Sequence, residues 1–261
     1  FSPCGLTSAN RTASWAKYFS KFGFYPVIIT RNWNQEINTE IDLYKQSGNK
    51  IEHQKFDNYE VYYVPYKQTR KDKILVNSGE GKNIFSRKMF SFFEQLSQFL
   101  IGFSDPFKDL YYFTDKYLSK NSGKIDCLIV SANPFVLFKY GNKLSKKYNL
   151  KWIADYRDDW TTTEWERPMG VLNNFIFNLE KKSEKKWVSS ASYITSVSDL
   201  YTQKISDYTG VKGRVIINGF FHEEFENYPE ISPFKTFTIT YIGSIYDDQK
   251  IEIFLDGFKE F

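Results

Sequence analysis

The sequence is poor in the residues that build metal centres and covalent cross-links. Its 261 residues include two Cys, two His and two Met. With so few of them a Cys/His zinc cluster is not expected, and a disulfide framework needs more cysteine pairs. Two cysteines alone suit a reducing compartment. Long hydrophobic runs are also missing. The longest are Val27-Ile28-Ile29 and Cys127-Leu128-Ile129-Val130, far short of the roughly 18–20 residues of a membrane-spanning helix. There is no internal repeat and no signal-peptide pattern. The chain begins Phe1-Ser2-Pro3-Cys4-Gly5 without an initiator Met and reads as a fragment. Neither sign of charge dominates: 35 basic and 31 acidic residues leave +4, too mild by itself to imply nucleic acid.

Aromatic residues are plentiful. With 25 Phe, 19 Tyr and 6 Trp, 19% of the chain, the core is expected to use large side chains, with some left at the surface. The hydrophobic pattern alternates between helix and strand. A helix is expected over 10–22, with Trp15, Phe19 and Phe22 on one side, Thr7 or Ser8 capping it and Gly23 ending it. A short strand follows over 25–30, then a polar stretch over 31–58 with no clear period, then a strand over 60–66. Residues 67–88 are basic and carry Gly79 and Gly81, so part of this stretch is expected to be a mobile loop. An amphipathic helix over 84–103 places Phe85, Met89, Phe92, Leu96 and Phe103 on one side. Another helix covers 106–118.

From 125 onward the alternation is regular. The apolar strand over 125–130 is expected near the centre of a parallel sheet, buried on both faces. A helix over 134–148 has Asn133 as its expected cap. Strands over 151–155, 192–197 and 214–218 alternate with helices over 172–187 and 199–208. This pattern predicts an α/β fold, a Rossmann-like parallel sheet flanked by helices. Acidic, Pro-containing sequence near 223–233 then breaks it. A strand over 237–241, the Gly243-Ser244 loop and a helix from about 249 read as the start of a second, truncated Rossmann-like domain. The expected organisation is a first domain over 1–225, a linker over 226–235 and the second domain over 236–261.

In an open parallel sheet, ligands bind beyond the carboxyl ends of the strands. Several such loops carry chemistry here. The loop of Gly5, Thr7 and Arg11 leads into a helix, whose backbone N–H groups suit a phosphate or a sugar hydroxyl; an ordinary turn and cap would look the same. Ser131 and Asn133 follow the most apolar strand and suit a polar ligand, although capping explains Asn133 equally well. Asp155-Tyr156-Arg157-Asp158-Asp159-Trp160 crowds three carboxylates, a guanidinium and an indole into six residues. Either it faces a ligand, with Trp160 as a stacking platform, or an Arg157–Asp158 ion pair organises the loop. Asn218-Gly219 reads as a turn. His53 and His222 lack a second histidine at ligand spacing and read as surface or linker residues. Cys127 reads as inert packing in a buried strand, and Cys4 as more exposed.

Taken in order, these segments resemble family-four glycosyltransferases of the GT-B fold. The resemblance lies in Ser2-Pro3 with Gly5 and Arg11 opening a helix, Gly23 before the following strand, Arg157-Asp158-x-Trp160, Ser196-Val197-Ser198 before a helix, Ile217-Asn218-Gly219-Phe220, and Tyr241-Ile242-Gly243-Ser244. It implies an acceptor-binding first domain and a second that binds a nucleotide-sugar. It also implies transfer with retention of anomeric configuration, with no metal and no cofactor beyond the nucleotide-sugar co-substrate. Carried over, Asp158 is the catalytic candidate, and Gly5 and Arg11 flank the cleft near the donor phosphates. Thr7, Ser131, Asn133, Arg157 and Trp160 join them in the acceptor set, while Gly243 and Ser244 contact the donor. The partners implied are a nucleotide-sugar and a glycan or lipid-linked acceptor, with no nucleic acid. The family's cleft histidine has no counterpart, since its loop here reads Ser131-Ala132-Asn133. Its paired donor-domain acids fall after Phe261, so these residues alone are expected to lack transferase activity.

Two other readings stay open. One is a GT-B enzyme of different chemistry, such as a nucleotide-sugar epimerase. The other is a non-enzymatic α/β module that docks on a membrane, suggested by the basic 67–88 stretch beside a Phe-rich helix. A cytoplasmic location, at the inner face of an anionic membrane, accompanies these readings.

Overall fold

A computed structural model of the chain describes residues 1, 7–33, 40–79, 83–97, 99, 105–163, 170–226, 232–243, 245 and 249–260. Its first element is helix α1 (Thr7–Tyr18), which continues as a 3-10 turn, Phe19–Phe22. Thr7 and Ser8 therefore lie inside the helix rather than capping it. Gly23 ends the turn as expected: its φ of 81° is the left-handed conformation that glycine adopts without steric cost. The chain then enters β1 (Val27–Arg31).

Two strands join β1. β3 (Glu60–Val64) pairs with it in parallel, and β2 (Glu52–Lys55) pairs antiparallel with β3 as a hairpin, giving the order β1-β3-β2. The Glu-His-Gln-Lys strand is exposed throughout, so hydropathy could not reveal it. In the basic stretch the loop expected around Gly79 and Gly81 falls largely outside the described residues, and a helix precedes it. Residues Arg70–Ser78 form helix α2, started by a capping box in which Thr69 accepts from the Asp72 N–H and Asp72 accepts from the Thr69 N–H. Such a box satisfies two orphan donors at once. Helix α3 (Ile84–Leu96) packs on α2, and α4 (Lys108–Asn121) packs on β1 and β3.

The second sheet is all-parallel, with strands β4 (Cys127–Ala132), β5 (Lys151–Tyr156), β6 (Tyr193–Ser196) and β7 (Gly213–Val215) in that order. Helices α5 (Val136–Tyr148), α6 (Val171–Val188) and α7 (Asp199–Thr209) connect them. This is a Rossmann-like α/β arrangement of helices wound on a parallel sheet. Its core lies on one face, where Trp152, Ala154, Tyr156 and Ile194 meet Phe138, Trp187, Val188 and Ile205. Each large apolar side chain fully buried there contributes roughly 1.5–3 kcal/mol.

Two expectations are corrected by this topology. Among the described residues the strand expected near the centre, β4, lies at the edge of its sheet. Nor is it buried on both faces. Ala132 is buried on the core side, but Cys127 and Ile129 on the other side are exposed. An apolar run fixes how much surface a strand would bury, not which neighbour covers it. In the same way Cys127 is an exposed free cysteine rather than core packing, although partial burial of the thiol pushes its pKa up. Helix α5 starts at Val136, with no side-chain cap, and Asn133 precedes a cis Pro134, so Asn133 does not cap it.

The chain divides into two units, Phe1–Phe220 and Phe221–Phe261. Among the described residues, the second holds a short 3-10 turn and helix α8 (Ile251–Glu260), and no strand forms over the expected 237–241. Among the described residues no helix is long and apolar enough to cross a membrane.

Candidate functional site

The parallel register of β4, β5 and β6 sets a polar row across the carboxyl ends of the strands. Ser131 lies opposite Asp155, and Asp155 opposite Thr195. Alternation puts all three on the face away from the core. Asp155 is fully buried and collects the row: it accepts from Ser131 Oγ at 2.8 Å and Thr195 Oγ1 at 2.6 Å. Arg11 of α1 completes its shell, donating from Nη2 at 2.8 Å and from Nε at 3.1 Å. The guanidinium also donates from Nη1 to the Ile216 carbonyl at 2.8 Å and to Asn218 Oδ1 at 3.3 Å.

One buried ion pair thus ties α1 to β4, β5, β6 and the segment after β7. Burying two charges is costly, and the cost is offset only when the remaining donors and acceptors are satisfied. Here both carboxylate oxygens and all three guanidinium nitrogens have partners.

The same loop is clamped from the core side. Glu184 of α6 is fully buried and accepts from the Tyr156 hydroxyl at 3.0 Å, the Thr161 N–H at 3.2 Å and the Thr161 hydroxyl. Burial outweighs these hydrogen bonds and raises its pKa. One turn earlier, Glu180 is pushed up to about 7 by burial and by the Glu184 charge. Burial likewise raises Asp159, reinforced by its neighbour Asp158 and opposed by Lys204.

Between these two clamps, residues 157–160 project from the carboxyl edge. The Arg157 N–H is held by the Ala132 carbonyl at 3.2 Å. Asp158, two residues past β5, is exposed, and no hydrogen bond or ion pair to another described residue engages its side chain. The alternative Arg157–Asp158 ion pair is not among the described contacts. Trp160 turns inward: it stacks on Phe135 at 4.7 Å and 2° from parallel, and it also packs against Phe99 and Trp187. One indole face is therefore covered by protein.

The structure brings Arg11, Ser131, Arg157, Asp158 and the exposed Asn133 to one sheet edge. Thr7 opens α1 above it, with its side chain outside the described residues. Gly5 and Ser244 also lie outside the described residues, as does Cys4. Gly243 belongs to the second unit, where it is exposed. Of the residues that organise the loop, Asp155 was visible in the sequence only as one of the three clustered carboxylates, and Glu184 was not singled out. The signal existed for both. Asp155 interrupts an apolar strand, and Glu184 shares a helical stripe with Ile176 and Trp187.

The histidines are not part of this edge. His53 pairs with Glu60 at 2.9 Å and stacks on Tyr62, and His222 is exposed in the second unit. An open crevice of about 660 Å³ lined by Tyr25, Lys55, Phe56, Asp57 and Glu60 shares no residue with the edge. Among the described residues, no group of three or more His, Cys, Asp or Glu side chains is placed to hold a metal ion.

No family model matches the chain, and no curated protein matches it. The fold is compatible with GT-B-type enzymes in general.

Proposed function

We propose that the chain carries the acceptor half of a retaining glycosyltransferase that moves a sugar from a nucleotide-sugar to a glycan or lipid-linked acceptor of the surface-polysaccharide type. The observation that carries this reading is the convergence at one carboxyl edge. Segments near residues 11, 131, 155–160 and 218 are far apart in sequence, yet Arg11 and Asp155 draw them together. Such an edge is where an open α/β sheet receives its ligand.

In this reading Asp158 is the working carboxylate. Its exposed position lets it accept a hydrogen bond from an acceptor hydroxyl and orient it for attack. Arg157 and Asn133 supply further polar contacts to the acceptor. Charge developing on the diphosphate leaving group is stabilised electrostatically by backbone amides and basic groups, with Gly243 and Ser244 on the donor side. Arg11 holds the edge together from beneath. The reading assigns a cytoplasmic reaction without a metal.

The test is an assay of nucleoside diphosphate release by the complete gene product, over a panel of nucleotide-sugars with and without a lipid-linked acceptor fraction. Acceptor-dependent release that falls at least tenfold in Asp158→Asn supports the reading. Release that is absent across the panel, or unaffected by Asp158→Asn, overturns it.

A further inference from the structure

Helix α3 leaves an apolar stripe uncovered. In a globular protein the apolar stripe of a surface helix ordinarily faces the core. In α3 one apolar stripe is open beside exposed Lys88, while Phe90, Phe92 and Leu96 are half-buried. Phe85, Met89 and Phe93, spaced four residues apart on one stripe, are 83%, 40% and 56% exposed. The charged group turned inward is Glu94, which is buried and meets Lys71 of α2 at 3.6 Å. The helix is nonetheless fixed to the body. It packs on α2, and shortly after its end Phe99 stacks on Trp187 at 5.6 Å. Its outward apolar stripe is thus held in place by the fold.

The charges around this stripe are sorted by sign. Among the described residues of α2 and α3, the acids are Asp72 and Glu94, and both are buried and bonded. Arg70, Lys73 and Lys88 are exposed, and no described carboxylate pairs with them. Lys67, just before α2, is exposed and reaches Asp109. The surface therefore presents phenylalanine and methionine among cations, with its own carboxylates turned inward.

We propose that α2 and α3 form a docking surface for an anionic lipid leaflet. The apolar stripe enters the interface while Arg70, Lys73 and Lys88 meet the headgroups. Two features favour a bilayer over a protein partner. A projecting stripe needs a complementary groove to bind a protein, whereas a lipid interface accepts any apolar stripe parallel to its plane. A leaflet also supplies negative charge on every side of the stripe at once. The inference goes beyond the transferase reading and does not depend on it.

The experiment is sedimentation of the whole chain with two kinds of vesicle: phosphatidylcholine alone, and phosphatidylcholine mixed in equal parts with phosphatidylglycerol. Binding is expected to the mixed vesicles, at least tenfold stronger than to neutral ones, and weakened by added salt. The double variant Phe85→Ser with Phe93→Ser removes exposed side chains and is expected to fold normally and lose at least tenfold in binding. The triple variant Arg70→Gln, Lys73→Gln and Lys88→Gln is expected to lose roughly two orders of magnitude. Equal sedimentation with both vesicles, or unchanged binding of the Phe variant, overturns the proposal. So does a chain that self-associates through this stripe, shown by a dimer that Phe85→Ser with Phe93→Ser converts to monomer without any vesicle binding. Glycosyl transfer is read separately, so failure of docking leaves that question standing.

Discussion

Arg11 and Asp155 are 144 residues apart in the chain and meet at 2.8 Å, with the carboxylate fully buried. The pair joins the first helix to the middle of the parallel sheet and positions the loop that begins at Asp155. Removing the cation should be far worse than removing both charges. Arg11→Met leaves a buried carboxylate with only two hydroxyl donors, and its expected cost is about 3–5 kcal/mol. Adding Asp155→Asn to that variant should restore part of the loss. Urea unfolding of the single and double variants measures this. Equal stability of wild type and Arg11→Met would contradict the assignment of the pair as the anchor of the edge.

Asp158 should behave in the opposite way. It is exposed, and the fold makes no described use of its side chain. Asp158→Asn is therefore expected to melt with the wild type and, on the transferase proposal, to slow turnover at least tenfold. A variant that melts several degrees lower yet turns over normally per folded molecule would move Asp158 from the chemistry to the scaffold.

Glu180 gives the fold a pH dependence of a definite sign. Its pKa rises from the ordinary 4.5 of the unfolded chain to about 7 in the folded one. The folded state thus holds its proton more tightly. Stability from this group is greatest at acid pH, falls as pH rises between 4.5 and about 7, and then levels off. Buried Glu184 shifts in the same direction. Glu180→Gln should flatten part of this slope and raise the melting temperature above neutrality. Melting curves across that range decide it, and a wild type whose stability rises between pH 5 and 7 with an unchanged slope in the variant would refute it.

A glycine inside a helix ordinarily gains about 1 kcal/mol on conversion to alanine. Gly141 of α5 should not. A Cβ there would stand 2.9 Å from two ring carbons of Trp152 and from Val130 Cγ2, in a close-packed core with no room to give. Gly141→Ala is expected to destabilise by about 1–3 kcal/mol, measured by thermal or urea unfolding. Equal or greater stability would mean that α5 can move off the sheet.

The parts of the fold that the sequence revealed share a property: their local pattern already contains their environment. β5 and β6 are short apolar runs, and Gly23 ends its helical segment in the left-handed conformation. What stayed hidden depends on partners elsewhere in the chain. β2 is four polar residues held by the β3 ladder. The edge position of β4 depends on which strand pairs with it. The amphipathic pattern of α3 gives its stripe but not the direction in which the stripe points, and the sequence alone favoured the core. The loop of the site was visible as a cluster of charge. That Asp155 turns inward while Asp158 points outward follows from strand parity and from Arg11, which only the folded chain brings near.

Those two carboxylates, three positions apart, divide their loop into a part that cannot change and a part that can. Substitutions at Asp155 or Glu184 disturb several strands and helices together, whereas residues 157–159 sit between fixed ends. Side chains at the tip can therefore change, and with them what the edge presents to a ligand, while the mounting beneath stays the same.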